Sequence, residues 1–173
     1  MKKEAGVAPV KDVKELELLR LLAMDSRLST QTLATLVGTS QEEVEQAVRE
    51  LEQKHVILRY STVIDWEKVA TPRVTAVIEV KVIPQREVGF DAIAERIYRF
   101  PEVRSVFLMS GGNDLQVTVE GSDLQAISRF VSEKLATIEN VHSTTTHFML
   151  KKYKEAGVIF DDHEDDRRLV VAP

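Results

Sequence analysis

The sequence predicts an α+β chain in which a helical N-terminal third precedes a domain of alternating strands and helices. Three observations carry this. Leu28 to Ile57 reads as a short helix, a tight turn and a second helix that leads into β-prone residues. From Val74 the apolar period shortens from about 3.6 residues to about two. The order strand, helix, strand, strand, helix, strand can then be followed to residue 156.

Taken in order, the first helix is expected from Asp12, an N-cap with Glu15 three residues on, to Met24, with Leu16, Leu18, Leu19, Leu21 and Leu22 supplying a broad apolar face. Ser29 caps a second helix whose Leu33, Leu36 and Val37 point inward, and Gly38 ends it. A third helix opens at Ser40 with Glu43 three positions later, a capping box. Val44, Ala47, Val48 and Leu51 fall at i, i+3, i+4 and i+7, the core side of an amphipathic helix. Val56 to Asp65 (VILRYSTVID) is expected to form a small hairpin, the wing of a winged helix-turn-helix spanning 1–61. A hinge covers 62–73.

In the second domain, TAVIEVKV places Val74, Ala76, Ile78, Val80 and Val82 on one strand face. Phe90, Ile93, Ala94 and Ile97 follow at helical spacing, and the helix stops before Pro101. VRSVFLM is a strand, SGGN a turn, and DLQVTVEG a strand with Leu115, Val117 and Val119 on one side. Ser122 or Asp123 caps a helix reaching Ile138 through Leu124, Ile127, Val131 and Leu135, and VHSTTTHFMLKKY closes the series. Two right-handed βαβ units side by side give a four-stranded antiparallel sheet with both helices on one face, a ferredoxin-like α/β sandwich over 74–156. An acidic tail, 157–173, follows.

The helices leave one sheet face bare. That face is expected to include Val77, Gln116, Thr118 and part of VRSVFLM, where apolar residues run on both parities. A half-apolar open face predicts a partner, most simply an identical subunit.

Composition narrows the functional classes. Net charge is −5, and no segment carries the basic block of an indiscriminate nucleic-acid binder. Zero cysteines exclude disulfides, zinc fingers and thiol chemistry. No apolar run approaches the roughly 18 residues of a membrane span, and the N-terminus lacks the apolar core of a secretory signal, so a cytoplasmic protein without membrane contact is expected. His55, His142, His147 and His163 show no metal-ligand spacing; no metal and no cofactor are expected. Thr144, Thr145 and Thr146 read as strand formers, with no activating base near them in sequence. The run DDHEDD (161–166) reads as a solvated tail.

A helix-turn-helix, a linking segment and a βαββαβ domain in this length resemble the Lrp/AsnC family, the leucine-responsive or "feast/famine" transcriptional regulators. The resemblance covers roughly residues 12 to 155. Its most specific points are LSTQTLATLVGTSQEEVEQAVRELEQKHVI and the hairpin Gly111-Gly112-Asn113-Asp114. It implies the RAM-type effector domain, dimers through the C-terminal sheet, rings such as octamers, double-stranded DNA as partner, and an effector, often an amino acid, bound between dimers near Gly111, Gly112, Asn113 and Asp114. Asn113 departs from the family pattern, which often has an aromatic or other bulkier residue there.

On the third helix, Ser40, Gln41, Glu42, Glu45, Gln46 and Arg49 are the candidates for contact with DNA. Gln can read adenine, Arg guanine, and Glu can accept from cytosine N4. Glu43 is assigned to capping, whereas Glu42, Glu45 and Glu50 set carboxylates beside the reading surface, which favours binding through several copies at once. At the turn, glycines would admit a ligand close to backbone N–H groups while Asp114 fixes an α-ammonium group; Gly-Gly and Asn are equally ordinary hairpin residues. Lys151, Lys152 and Lys154 form a basic cluster that would either touch phosphate or solvate a strand end. Two further readings fit the same chain: an amino-acid-binding assembly module that has lost DNA binding, and a haem-precursor decarboxylase on the same two-domain plan.

Overall fold

The structure is a computed structural model and describes residues 13–69, 71, 73–83 and 89–160. It divides into two compact units, Met1–Thr62 and Val63–Pro173. Asp12, the expected first N-cap, and the acidic run 161–166 lie outside the described residues.

The first unit holds α1 (Val13–Met24), α2 (Thr30–Val37) and α3 (Gln41–Gln53). They close over Leu18, Leu33, Ala34, Val44 and Leu51, with Ala47 and Val48 partly buried beside them. Leu36, expected inside, is 52 % exposed. Gly38 lies in the left-handed region (φ 70°) and its N–H returns to Ala34 O, so α2 stops abruptly and three residues suffice to turn the chain. The end of α3 is closed without glycine: His55 takes φ 54°, its N–H donates to Glu52 O at 3.0 Å, and Val56 N–H donates to Leu51 O at 2.8 Å. This is the Schellman pattern with histidine in the glycine position.

The expected wing does not form. Among the described residues no strand pairs between Val56 and Asp65. The segment contains no Gly, Asn or Pro to make a tight reversal. Instead the Tyr60 hydroxyl donates to Glu52 Oε1 at 2.9 Å, holding the extended segment against the end of α3.

The second unit contains β1 (Val74–Val82), α4 (Asp91–Tyr98), β2 (Val103–Leu108), β3 (Leu115–Gly121), α5 (Leu124–Arg129) and β4 (Val141–Phe148). The sheet order is β2-β3-β1-β4, antiparallel throughout. Ala76, Ile78, Val80, Leu115, Val117 and Val119 are buried together with Ile93, Ile97, Ile127, Phe130 and Leu135. The alternation read from the sequence therefore assigns the core face of β1 and β3 correctly.

Two irregularities change what the pattern implied. The register of β2 against β3 shifts at Arg104, so Val103 and Val106 both face the helices, opposite Val119 and Val117. Ser105 and Phe107 then share the open face with Thr118 and Gln116. The two-parity apolar run is thus a bulge, and Val77 and Phe107 are the open-face apolar residues amid Gln116, Thr118, Glu79, Thr145 and His147. That face is more polar than expected. The second change lies after α5, which continues as π-helical turns Phe130–Leu135, Ala136 N–H donating to Val131 O at 2.8 Å. Phe130, which spacing passed over, joins the expected Leu135 in the core, while Leu124, expected inside, is 56 % exposed at the start of α5.

Residues Trp66–Lys68 make a 3₁₀ turn capped by the Asp65 side chain, so part of the expected hinge is ordered within the second unit. After β4, β5 (Lys154–Glu155) and β6 (Val158–Ile159) pair as a small hairpin. The domain end expected at 156 falls inside this hairpin, and its turn sets Ala156 (φ 47°) and Gly157 (φ 85°) in the left-handed region. Residues 157–160 accordingly belong to folded structure, not to a tail.

Candidate functional site

The exposed surface of α3 is set by its cap. Ser40 Oγ accepts from Glu43 N–H at 3.2 Å and Glu43 Oε2 accepts from Ser40 N–H at 3.2 Å. Thr39 adds its hydroxyl to the same carboxylate oxygen. The Thr39 hydroxyl, and after it the Ser40 amide, hold the Glu43 carboxyl below the usual glutamate range. With Val44 and Leu51 buried, Gln41, Glu42, Gln46 and Arg49 are exposed and Glu45 is half-exposed. Gln41, Glu42, Glu45, Gln46 and Arg49 thus share the solvent side of α3, while Ser40 sits before its first turn as the cap.

Their carboxylates are not idle. Gln41 Nε2 donates to Glu45 Oε1 at 2.9 Å, and Gln46 Nε2 to Glu50 Oε1 at 3.0 Å. Lys54 pairs with Glu50 at 3.1 Å, and Arg49 reaches Gln46 Oε1 at 3.4 Å. The Gln46 amide and Lys54 keep the Glu50 carboxyl below its usual range. Glu50, which sequence spacing left without a structural reason, is therefore the acceptor of a surface network Arg49–Gln46–Glu50–Lys54. Such a network reduces repulsion of phosphate while leaving each member on a long, easily rearranged side chain.

The turn 109–114 joins β2 to β3. Met109 N–H donates to Asp114 O at 2.8 Å, and Asp114 N–H donates to Val80 O at 3.1 Å. Gly111 takes φ 145°, and a Cβ built at Gly111 or Gly112 would meet only open space. Asp114 Oδ2 accepts from Val82 N–H at 2.9 Å, where the register of β1 against β4 shifts. That carboxylate therefore has a structural task, supplying the acceptor a regular ladder would otherwise provide. Asn113 donates to Glu79 on the open face. The four predicted effector residues thus form one loop, its glycines open to solvent and its polar side chains turned back to β1.

Sequence reading missed a cleft of about 470 Å³ in the second unit, lined by Trp66, Arg73, Thr75, Glu120, Lys152 and Phe160 among others. The signal available was the chain's single tryptophan, close in sequence to Arg73. Among the described residues no group of three or more His, Asp or Glu is placed to hold a metal ion. No described helix is long and apolar enough to cross a membrane.

Residues 75–159 match the Lrp/AsnC ligand binding domain. The chain is 51 % identical over 161 residues to an uncharacterized HTH-type transcriptional regulator, YugG, of Bacillus subtilis, covering 92 % of this chain and 97 % of that protein. The chain belongs to the Lrp/AsnC family. It is also 34 % identical over 137 residues to the Bkd operon transcriptional regulator of Pseudomonas aeruginosa, covering 79 % of this chain and 89 % of that one. The fold matches the transcriptional regulator NMB0573 of Neisseria meningitidis, solved as a complex with L-Met, at TM-score 0.68 and 24 % identity, over 83 % of this chain and 92 % of that chain. Lrp/AsnC relatives are named as transcriptional regulators, which fixes the class of function to which this chain belongs.

Proposed function

We propose that this protein is a sequence-specific DNA-binding transcriptional regulator that acts as a multimer and answers to a small effector, an amino acid. The observation that carries it is the division of labour on α3: Val44 and Leu51 are spent on the core, while Gln41, Glu42, Gln46 and Arg49 stay on the surface behind a well-capped N-terminus. The relatives' names support the regulatory reading over a catalytic one.

Helices α2 and α3 would act as the helix-turn-helix of a DNA-binding domain, without the hairpin wing that the sequence led us to expect. The open sheet face, with Val77 and Phe107 among polar neighbours, would join identical subunits as dimers, and dimers would assemble into rings such as octamers. The effector would sit by Gly111, Gly112, Asn113 and Asp114; the L-Met complex of the Neisseria protein supports an amino acid as its class. Action would be cytoplasmic, where the DNA is.

With net charge −5, affinity must come from several copies, each adding a modest local contact. The test is a mobility-shift assay on DNA from the region upstream of its own gene, run across a salt series. Cooperative binding that weakens steeply with salt is expected, and no shift even at low salt would overturn the reading. A second reading, an effector-binding module without DNA binding, is favoured by the mutual satisfaction of Gln41 with Glu45 and Gln46 with Glu50. Amino-acid binding by calorimetry with no DNA shift would select it.

A further inference from the structure

The carboxylates of α3 decide which way its glutamines face. An ionised carboxylate accepts hydrogen bonds and donates none, so a glutamine beside it offers an N–H and turns its oxygen elsewhere. This happens twice on the helix, each time between residues four apart. Gln41 Nε2 donates to Glu45 Oε1 at 2.9 Å, and Gln46 Nε2 to Glu50 Oε1 at 3.0 Å. Glu50 is anchored in turn, since Lys54 Nζ donates to its other oxygen at 3.1 Å. The Gln46 amide and Lys54 hold its carboxyl below the usual range, so it stays ionised and remains a pure acceptor. The Gln46 oxygen, set by that contact, accepts from Arg49 Nη2 at 3.4 Å.

The result is a surface rich in acceptors. Gln41 Oε1, Gln46 Oε1 and the exposed Glu42 carboxylate stand with one strong donor, Arg49. In the major groove adenine N6 and cytosine N4 donate, whereas guanine O6 and N7 and thymine O4 accept. The oxygens of α3 therefore complement amino groups, and a neighbouring guanine suits Arg49. Opposite a keto edge the same oxygens meet other oxygens, which costs affinity and separates the right sequence from the wrong one. A glutamine free to flip would present its N–H groups to keto edges as readily, and that distinction would be lost.

We infer that Glu45 and Glu50 are positioning residues for base recognition. They contact no base; they fix the amides of Gln41 and Gln46, and through Gln46 they aim Arg49. With the amides fixed, α3 selects the amino groups of adenine and cytosine beside a guanine. The inference rests on the DNA-binding reading and adds to it the kind of base edge that α3 seeks. It also gives Glu45 and Glu50 a task that repulsion of phosphate alone leaves without a reason.

The test uses the full chain and the DNA segment that it protects upstream of its own gene, with a shuffled segment of equal composition as reference. Fluorescence anisotropy gives the affinity for each, and their ratio is the selectivity. Adenines are replaced one at a time by 2-aminopurine, which still pairs with thymine but carries its amino group in the minor groove. At least one such replacement should weaken binding about fivefold or more. Two double variants, Glu45→Gln with Glu50→Gln and Glu45→Leu with Glu50→Leu, remove the same charge, and only the first keeps an acceptor for each glutamine. Both should bind the shuffled segment more tightly than the parent does, because carboxylates near phosphate are gone. The glutamine pair should keep the parent's selectivity within about twofold, while the leucine pair should lose about fivefold or more. Circular dichroism confirms that each variant is folded. Equal selectivity of the two double variants overturns the inference, as does tolerance of 2-aminopurine at every adenine; in either case selective binding by the parent leaves the DNA-binding reading standing. A parent chain that binds neither segment overturns both.

Discussion

Asp114 separates a structural from a ligand-binding account of the turn 111–114, because its two plausible tasks need different atoms. Its carboxylate accepts the Val82 N–H at 2.9 Å in a partly buried position where the β1–β4 register shifts. Asp114→Ala removes the acceptor and leaves that amide without it. A hydrogen bond to a charged partner is worth about 1.5–3 kcal/mol, and leaving a buried partner unsatisfied adds cost, but partial water access at this position argues for the lower end, about 2 kcal/mol. Asp114→Asn keeps an oxygen in the same place and removes only the charge, so it should cost about 0.5–1 kcal/mol. Urea unfolding followed by Trp66 emission reports the second unit alone, since the only tryptophan lies there. With an m-value of about 2 kcal/mol/M, the alanine variant should shift the midpoint down by about 1 M and the asparagine variant by less than half of that. An alanine variant as stable as the parent would refute the structural role. An asparagine variant that is stable yet loses any amino-acid response assigned to the turn would place the charge in ligand binding.

Four further predictions concern the first unit. Ser40→Ala removes the α3 N-cap and should cost about 1 kcal/mol by thermal unfolding. Because the Glu43 carboxyl is held below its usual range, its contribution is complete at neutral pH and is lost as pH falls through the folded-state value; Glu43→Gln should flatten that acid limb, read by circular dichroism. His55→Gly should stabilise by about 0.5–1 kcal/mol, since glycine takes φ 54° without the strain of a side chain; equal or lower stability would contradict the Schellman assignment. Glu45→Gln removes a carboxylate from the α3 surface and should raise DNA affinity severalfold at low salt, whereas Arg49→Ala should lower it, both measured by fluorescence anisotropy.

The sequence made legible those features whose cause is local. Ser29, Gly38 and Ser40 announce caps through their own side chains or lack of one, and the alternation of β1 and β3 follows from which face must be dry. What it hid depends on neighbours distant in the chain. The bulge at Arg104 looks like two-sided apolarity until β3 supplies a register. Spacing also put Leu124 inside and passed over Phe130, whereas Phe130 is buried and Leu124 exposed. The wing was inferred from β-prone residues alone, and those residues lack a reversing turn. The cleft was invisible because Trp66, Arg73, Glu120 and Lys152 come together only when the 3₁₀ turn, the sheet and the C-terminal segment fold as one unit. For α3, spacing chose the exposed side correctly, while the pairing of Gln46 and Lys54 with Glu50 needed side-chain geometry.

The central claim is that α3 reads DNA as one of several copies. Footprinting on the DNA upstream of the gene tests it most directly, with the parent chain and with a Gln41→Ala, Arg49→Ala double variant. Several protected segments spaced by about one helical turn, about 10 base pairs, or its multiples are predicted, lost together in the variant. Protection that is absent for the parent, or that persists unchanged in the variant, would contradict the account.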